Sequence, residues 1–325
     1  MLTHDWQPVA KWQAMQERAK LQQCIRAFFA ERQVLEVETP LLARCGVTDV
    51  HLHNALTYLQ GPGMPQPTAF YLQTSPEYAM KRLLAAGSGP IFQLCKVVRD
   101  DEISRRHNPE FTLLEWYRPG FSDSELMAEL DCLLQHVLGC PPATTITYQQ
   151  AFLNTIGIDP LQQENRVALI AALAQQGLAD AISATDSFDT VLQLAMSVLV
   201  EPNIGQQQPC FVSHFPASQA ALARIDEEDT RVARRFELFF KGMELANGFW
   251  ELTDASQQHE RFVADNQTRQ QLGLPEQPVD YALIAALQHG LPDCSGVAVG
   301  VDRLLMLRLG VDDIQQVLAF PIERA

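Results

Sequence analysis

Residues 97–117 read VVRDDEISRRHNPEFTLLEWY: an apolar run, a polar turn and a second run in which Phe111, Leu113, Glu115 and Tyr117 alternate with Thr112, Leu114 and Trp116. Side chains of a strand alternate between faces, so the second run presents one mixed face and one mostly apolar face. A mixed face suits either a half-solvated antiparallel strand or the floor of a pocket. The connection DDEISRRHNP is too short for a helical crossover, so the two strands are expected to be antiparallel. Its Arg99, Arg105, Arg106 and His107 gather near one end, which suits an anion.

Outward from this hairpin, residues 11–33 space Met15, Leu21, Ile25, Phe28 and Phe29 as a long amphipathic helix, followed by an edge strand over 34–40 that Pro40 stops. Ser75-Pro76-Glu77 opens a second helix, with serine at the cap and proline in the first turn. Further strands are expected in IFQLCKVVR, CFVSHF, RRFELFFKGMELANGFWEL and SGVAVGV, and helices over 123–138, 187–200, 254–272, 280–288 and 302–309. GPGMPQP (61–67) reads as a loop and 140–186 as a small helical insertion. The fold class is α+β, an antiparallel sheet flanked by helices in a single domain.

The chain has 325 residues, 47% of them apolar, enough to bury a full core. Its net charge of -15 disfavours a general nucleic-acid binder, because phosphate neutralisation calls for clustered Lys and Arg. The locally basic IDEEDTRVARR mixes both signs and reads as a salt-bridged surface. Seven scattered cysteines form no C-x-x-C pair, and no apolar run is long enough to span a bilayer. With no signal-like N-terminus, a reduced, cytoplasmic protein without a membrane anchor is expected.

Two more clusters carry chemistry. In FELFFKGMELANGFWEL (236–252), Glu237, Glu244 and Glu251 recur every seven residues and Asn247-Gly248 marks a bend or bulge. Carboxylates in an apolar strand pair suggest Mg²⁺ or an ammonium ligand. In SGVAVGVDRLLMLRLG (295–310), a glycine-spaced strand enters a helix whose first turn holds Asp302 and Arg303. Neither a Walker loop nor a G-x-G-x-x-G fingerprint is present. Strand glycines instead admit a flat ligand closely.

In this order the three clusters resemble motifs of the class II aminoacyl-tRNA synthetases, closest to the lysyl-tRNA synthetases, nearly from end to end. FFAERQVLEVETP looks like motif 1, VVRDDEISRRHNPEFTLLEWY like motif 2 and GVAVGVDRLLM like motif 3. They also resemble the smaller lysyl-tRNA synthetase paralogues that attach (R)-β-lysine to a lysine of translation elongation factor P. The resemblance implies a homodimer and an aminoacyl-adenylate made from ATP with Mg²⁺. Arg99, Arg303 and Glu244 would be catalytic, and Phe111 and Arg303 would enclose the adenine. Asp100, Asp101, His107, Asn108, Glu237, Leu245 and Gly300 would complete the ATP site, with Glu237 and Glu244 toward the metal. Ser75, Pro76, Glu77, Glu115, Tyr117, Asn247, Glu251 and Ala298 would form the amino-acid side, selecting a lysine-like substrate.

Two departures from the family pattern stand out. Asp101 replaces the usual motif 2 glutamate, and Ala298 replaces the middle glycine of motif 3, which reshapes the pocket. Only about thirty residues precede motif 1, so an anticodon-binding barrel is not expected and tRNA is the less favoured acceptor. The alternatives are a truncated synthetase acting on tRNA or a small amine, and a non-catalytic regulatory paralogue.

Overall fold

The computed structural model describes residues 6–100, 103–183 and 186–325. The chain falls into two compact units: residues 1–120 with 253–294 and 298–325, and residues 121–252 with 295–297.

In the first unit the helix Trp12–Glu31 buries Ala14, Leu21, Ile25, Phe28 and Phe29 along one face. The seam thus starts at Ala14, whereas Met15, expected there, is only half-buried. Phe29 stacks on Phe92 with centroids 4.5 Å apart and meets the edge of Trp116 at 5.2 Å. That contact settles which face of the hairpin is core. Ile91–Val98 and Glu110–Pro119 pair antiparallel as expected, from Ile91 opposite Tyr117 to Val98 opposite Glu110.

The expected edge strand over 34–40 is only Leu35–Glu36, and it runs parallel to Ile91–Val98. Val37 N–H makes the last ladder bond, to Phe92 O, before the chain turns toward Pro40. The 61–67 loop is also shorter than expected, because Leu56–Gly61 and Met64–Leu72 form a hairpin turning at Pro62-Gly63. Its ladder is irregular between Leu59 and Gly61, so Pro65 and Pro67 fall where the pairing is broken. Helices Glu77–Ala85 and Tyr281–Gly290 pack through Met80, Leu84, Leu283, Ile284 and Leu287.

In the second unit Asp123–Leu138 starts with a capping box of Ser122 and Glu125 and ends at Gly139 in the left-handed region. Its sheet runs Thr144–Thr147, Cys210–Pro216, Val232–Phe240, Met243–Trp250; the first pair is parallel and the others antiparallel. Residues 140–186, expected to be a helical insertion, therefore also supply an edge strand. Their Tyr148, Phe152, Leu169 and Leu173 share a core with Val212, Phe215 and Phe239.

The 232–250 stretch is a hairpin turning at Lys241-Gly242, both at positive φ (50° and 70°), the signature of a two-residue type I′ turn. The irregularity lies between Glu244 and Ala246, at Leu245, and Asn247-Gly248 sits in regular pairing opposite Glu237 and Phe236. Gly248 answers to packing instead: a Cβ there would lie 2.3 Å from Phe236 Cζ.

Candidate functional site

In the Glu110–Pro119 strand every residue from Thr112 to Tyr117 is buried, so the mixed face is not solvated. Glu115, 2% exposed, accepts hydrogen bonds from Ser75 Oγ at 2.6 Å and from Tyr117 OH at 2.7 Å. Tyr117 reaches it because residues two apart share a face. Burial raises the Glu115 pKa, the negative Glu77 nearby raises it further, and the two hydroxyls, with the positive charge of Lys81 after them, oppose the shift. Ser75 also accepts the Glu77 N–H at 3.0 Å, capping the helix one residue before its Pro76 N-cap.

Glu77 shares its carboxylate with the buried Lys81, 2.6 Å away and one helical turn on. Sequence reading missed Lys81, although its i,i+4 spacing from Glu77 was the available signal. Thr74, 1% exposed, has a hydroxyl with no hydrogen-bond partner among the described residues. A cleft of about 450 Å³ opens beside Thr74, Ser75 and Pro76, lined also by Arg44, Cys45, Arg82 and Asp280.

Around the polar hairpin, Arg99 lies 5.2 Å from the Phe111 ring centroid and its Nε donates to Thr74 O at 3.3 Å. Arg303 extends from the first turn of the helix Val301–Leu309 to His107 Nε2 at 2.9 Å. A guanidinium only donates, so Nε2 is the acceptor and His107 Nδ1–H donates to Ser104 Oγ at 2.8 Å. Asp302 faces the other way, accepting the Thr112 N–H at 2.7 Å and pairing with Arg18.

Asn108, expected at ATP, is tied to protein at both ends of its amide: Nδ2 donates to Glu110 O at 2.6 Å and Oδ1 accepts from Ile322 N–H at 3.0 Å. Asp100 is exposed, its N–H bonded to His53 O, and Asp101 lies outside the described residues. Gly300, at φ -74°, needs no special backbone, and a Cβ there would touch only the Arg303 side chain, at 3.7 Å. Ala298 is half-buried in the strand Cys294–Gly300.

In the second unit Glu237 is paired with Arg235, two residues back on the same face, and burial raises its pKa. Arg235 opposes that shift and Glu244, which pairs with Phe239 two residues along the same face, adds to it. Leu245 is buried at the bulge beside Glu244. Asn247 Oδ1, opposite Glu237 in register, is buried with no hydrogen-bond partner among the described residues. Glu251 is 1% exposed, just past the strand end. In the mixed-charge IDEEDTRVARR, Asp229 and Arg231 form the expected surface pair. Arg234 turns inward to Asp123 and Asp226.

Among the described residues no three His, Cys, Asp or Glu side chains gather as a metal cage. Glu237 and Glu244, near one another on one face of the hairpin, still fit Mg²⁺, which is commonly held by one or two carboxylates plus substrate phosphates. All seven cysteines are unpaired thiols, and no described helix is long and apolar enough to cross a membrane.

Comparison with known proteins adds an independent line. Residues 7–324 match the family described as tRNA synthetases class II (D, K and N). A protein of Vibrio cholerae serotype O1, named elongation factor P--(R)-beta-lysine ligase, is 55% identical over 325 residues, covering 100% of both chains. Proteins of the same name from Salmonella typhi and Salmonella gallinarum are 54% and 53% identical over 323 residues, 99% of each chain.

Proposed function

The chain belongs to the class II tRNA synthetases of the D, K and N group, and from that membership we propose that it joins (R)-β-lysine, or lysine, to a lysine ε-amine of elongation factor P. It is a ligase, and its family implies ATP as the activating substrate. The observation that carries the amino-acid assignment is Glu115. It is a buried carboxylate oriented by two hydroxyls, with its pKa raised by burial. Such a group gains most from an incoming ammonium, which restores its charged form. A lysine-like substrate supplies that ammonium, with Glu251 and Asn247 as further acceptors.

In the proposed reaction a substrate carboxylate oxygen attacks the α-phosphorus of ATP; a P–O bond forms and the bond to pyrophosphate breaks. Two anions must approach, so the charges of Arg99 and Arg303 stabilise the transition state. His107, a hydrogen-bond acceptor for Arg303, holds that guanidinium at the hairpin. Phe111 offers a ring face to the base, and Gly300 and Leu245 add small or apolar surface. Mg²⁺, held by Glu237 and Glu244, would neutralise charge on the phosphates. The acceptor amine, once deprotonated, attacks the acyl carbon; the amide bond forms, AMP leaves, and a proton is released. The rate is expected to rise with pH until activation limits it.

We place the enzyme in the cytoplasm as one catalytic domain acting as a homodimer. The dimer rests on the exposed Leu35 and Leu41, beside the long first helix, in the region resembling motif 1. The deciding experiment is intact-mass analysis of elongation factor P after incubation with enzyme, ATP, Mg²⁺ and (R)-β-lysine. One added residue is expected, lost when the acceptor lysine becomes arginine. Charged tRNA with an unchanged factor mass would replace this reading.

A further inference from the structure

Residues 222–226 do not form a regular strand, yet they bond to both strands of the 232–250 hairpin. Arg224 N–H donates to Trp250 O, Leu252 N–H to Leu222 O, and Arg234 N–H to Arg224 O, at 2.9, 3.0 and 2.9 Å. The Arg224 side chain adds a second tie, since Nε and Nη2 both lie 3.2 Å from the backbone carbonyl of Glu251. Its guanidinium rests over the Trp250 ring at 4.4 Å, and that of Arg234 lies over the same ring at 5.2 Å. Arg234 is itself fixed by Asp123, at 2.6 Å, and Asp226, at 2.9 Å. Asp226 is anchored in turn by the N–H groups of Glu228 and Asp229. An unbroken set of contacts thus runs from the start of the Asp123–Leu138 helix to the carbonyl of Glu251.

We propose that Arg224, seated on Trp250 beside the clamped Arg234, is a positioning residue that sets the aim of the Glu251 carboxylate toward the substrate ammonium. Glu251 lies one residue past the end of its strand, where an isolated bridge to Ala223 replaces the continuous ladder and still permits its carbonyl a small turn. A guanidinium forked onto one carbonyl and stacked on an aromatic face restricts that turn, because its planar geometry admits few alternatives. Arg224 approaches Glu251 through the main chain and holds position, leaving the buried carboxylate to its own contacts. The inference rests on the proposed role of Glu251 in amino-acid binding.

Two measurements on Arg224→Ala and Arg224→Lys test it. In pyrophosphate exchange with ATP, Arg224→Ala is expected to raise the amino-acid KM about tenfold while the ATP KM stays within about twofold, and Arg224→Lys is expected to recover part of the loss through a single donor. Amide hydrogen exchange, read on the peptide spanning residues 247–253, is expected to accelerate about tenfold in Arg224→Ala, with other peptides unchanged. Unchanged exchange in that peptide overturns the proposal whatever the activity, as does an equal rise in both KM values. If the wild-type protein shows no lysine-dependent exchange of pyrophosphate, the functional reading fails separately, and the hydrogen-exchange result still decides whether Arg224 holds this segment.

Discussion

Glu115 and Glu237 are carboxylates of the same kind in two different settings. Burial raises the pKa of each, and each has a second carboxylate adding to the shift, Glu77 for one and Glu244 for the other. They differ in what opposes it. Glu115 is held by the hydroxyls of Ser75 and Tyr117, and Glu237 by the guanidinium of Arg235. Hydroxyls fix orientation without supplying charge, and the Lys81 ammonium that also lowers the Glu115 pKa is paired with Glu77, so the first site keeps an electrostatic demand that a cationic ligand can meet. The second is largely balanced from within, and its remaining negative charge, shared with Glu244, suits a metal ion that arrives with phosphates.

Removing the internal cation should have the largest effect. Arg235→Ala leaves the half-buried Glu237 beside Glu244 without its cation, and a stability loss of about 2–4 kcal/mol is expected from urea unfolding, somewhat below the usual cost of breaking a fully buried pair. Arg235 also donates to Gln219 O at 2.7 Å, which adds to that cost. A loss below about 1 kcal/mol would mean the pair behaves as a surface contact and the contrast with Glu115 does not hold.

Glu115→Gln should be felt in catalysis. Loss of a charge-assisted contact worth about 1.5–3 kcal/mol lowers kcat/KM for lysine-type substrates roughly 10- to 150-fold, with the KM for ATP nearly unchanged. Equal exchange with leucine in the wild-type protein would remove the ammonium from the argument.

Smaller packing effects separate two glycines. Gly248→Ala drives a methyl into the Phe236 ring, and about 1–3 kcal/mol of destabilisation is expected by thermal unfolding. Gly300→Ala meets the Arg303 side chain at an ordinary contact distance, so stability should move by less than about 0.5 kcal/mol. If both behaved alike, Gly248 would not be a packing requirement.

The last expectation is a pH dependence. With Glu115 raised in the folded state, both states hold the proton below the unfolded value of 4.5. As pH rises above it the unfolded chain ionises first, so this group's stabilising contribution is lost until the folded carboxyl ionises too. Glu115→Gln should therefore gain stability relative to the ligand-free wild type between about pH 4 and pH 8, followed by denaturant midpoint. Glu237→Gln leaves Arg235 without its anion and should not show the same gain. Parallel curves for the two variants would erase the distinction between the two sites.

The long first helix, the 97–117 hairpin and the helix after Gly300 were legible because period and punctuation agreed locally. Leu21, Ile25 and Phe29 recur at helical spacing, and Glu115 and Tyr117 share a face by alternation alone. The 56–72 hairpin was not, because prolines at 65 and 67 argue against a strand unless the ladder is already broken there. The Lys241-Gly242 turn was hidden for another reason. Glycine at 242 and the later Asn-Gly both read as turns, and only the pairing of Phe240 with Met243 chooses between them.

At the sites the division follows the same logic. The sequence alone determined which residue types were available: glutamates amid apolar strands, arginines flanking a polar turn, and motifs specific enough to indicate the family. What only the tertiary structure decided was who compensates whom. Ser75 meets Glu115 from 40 residues away, Arg234 meets Asp123 from 111, and Arg303 meets His107 from 196. No local pattern encodes such pairs. Whether a buried carboxylate is neutralised, merely oriented or left for a ligand depends on groups that approach through the folded chain, where low dielectric makes each of them count.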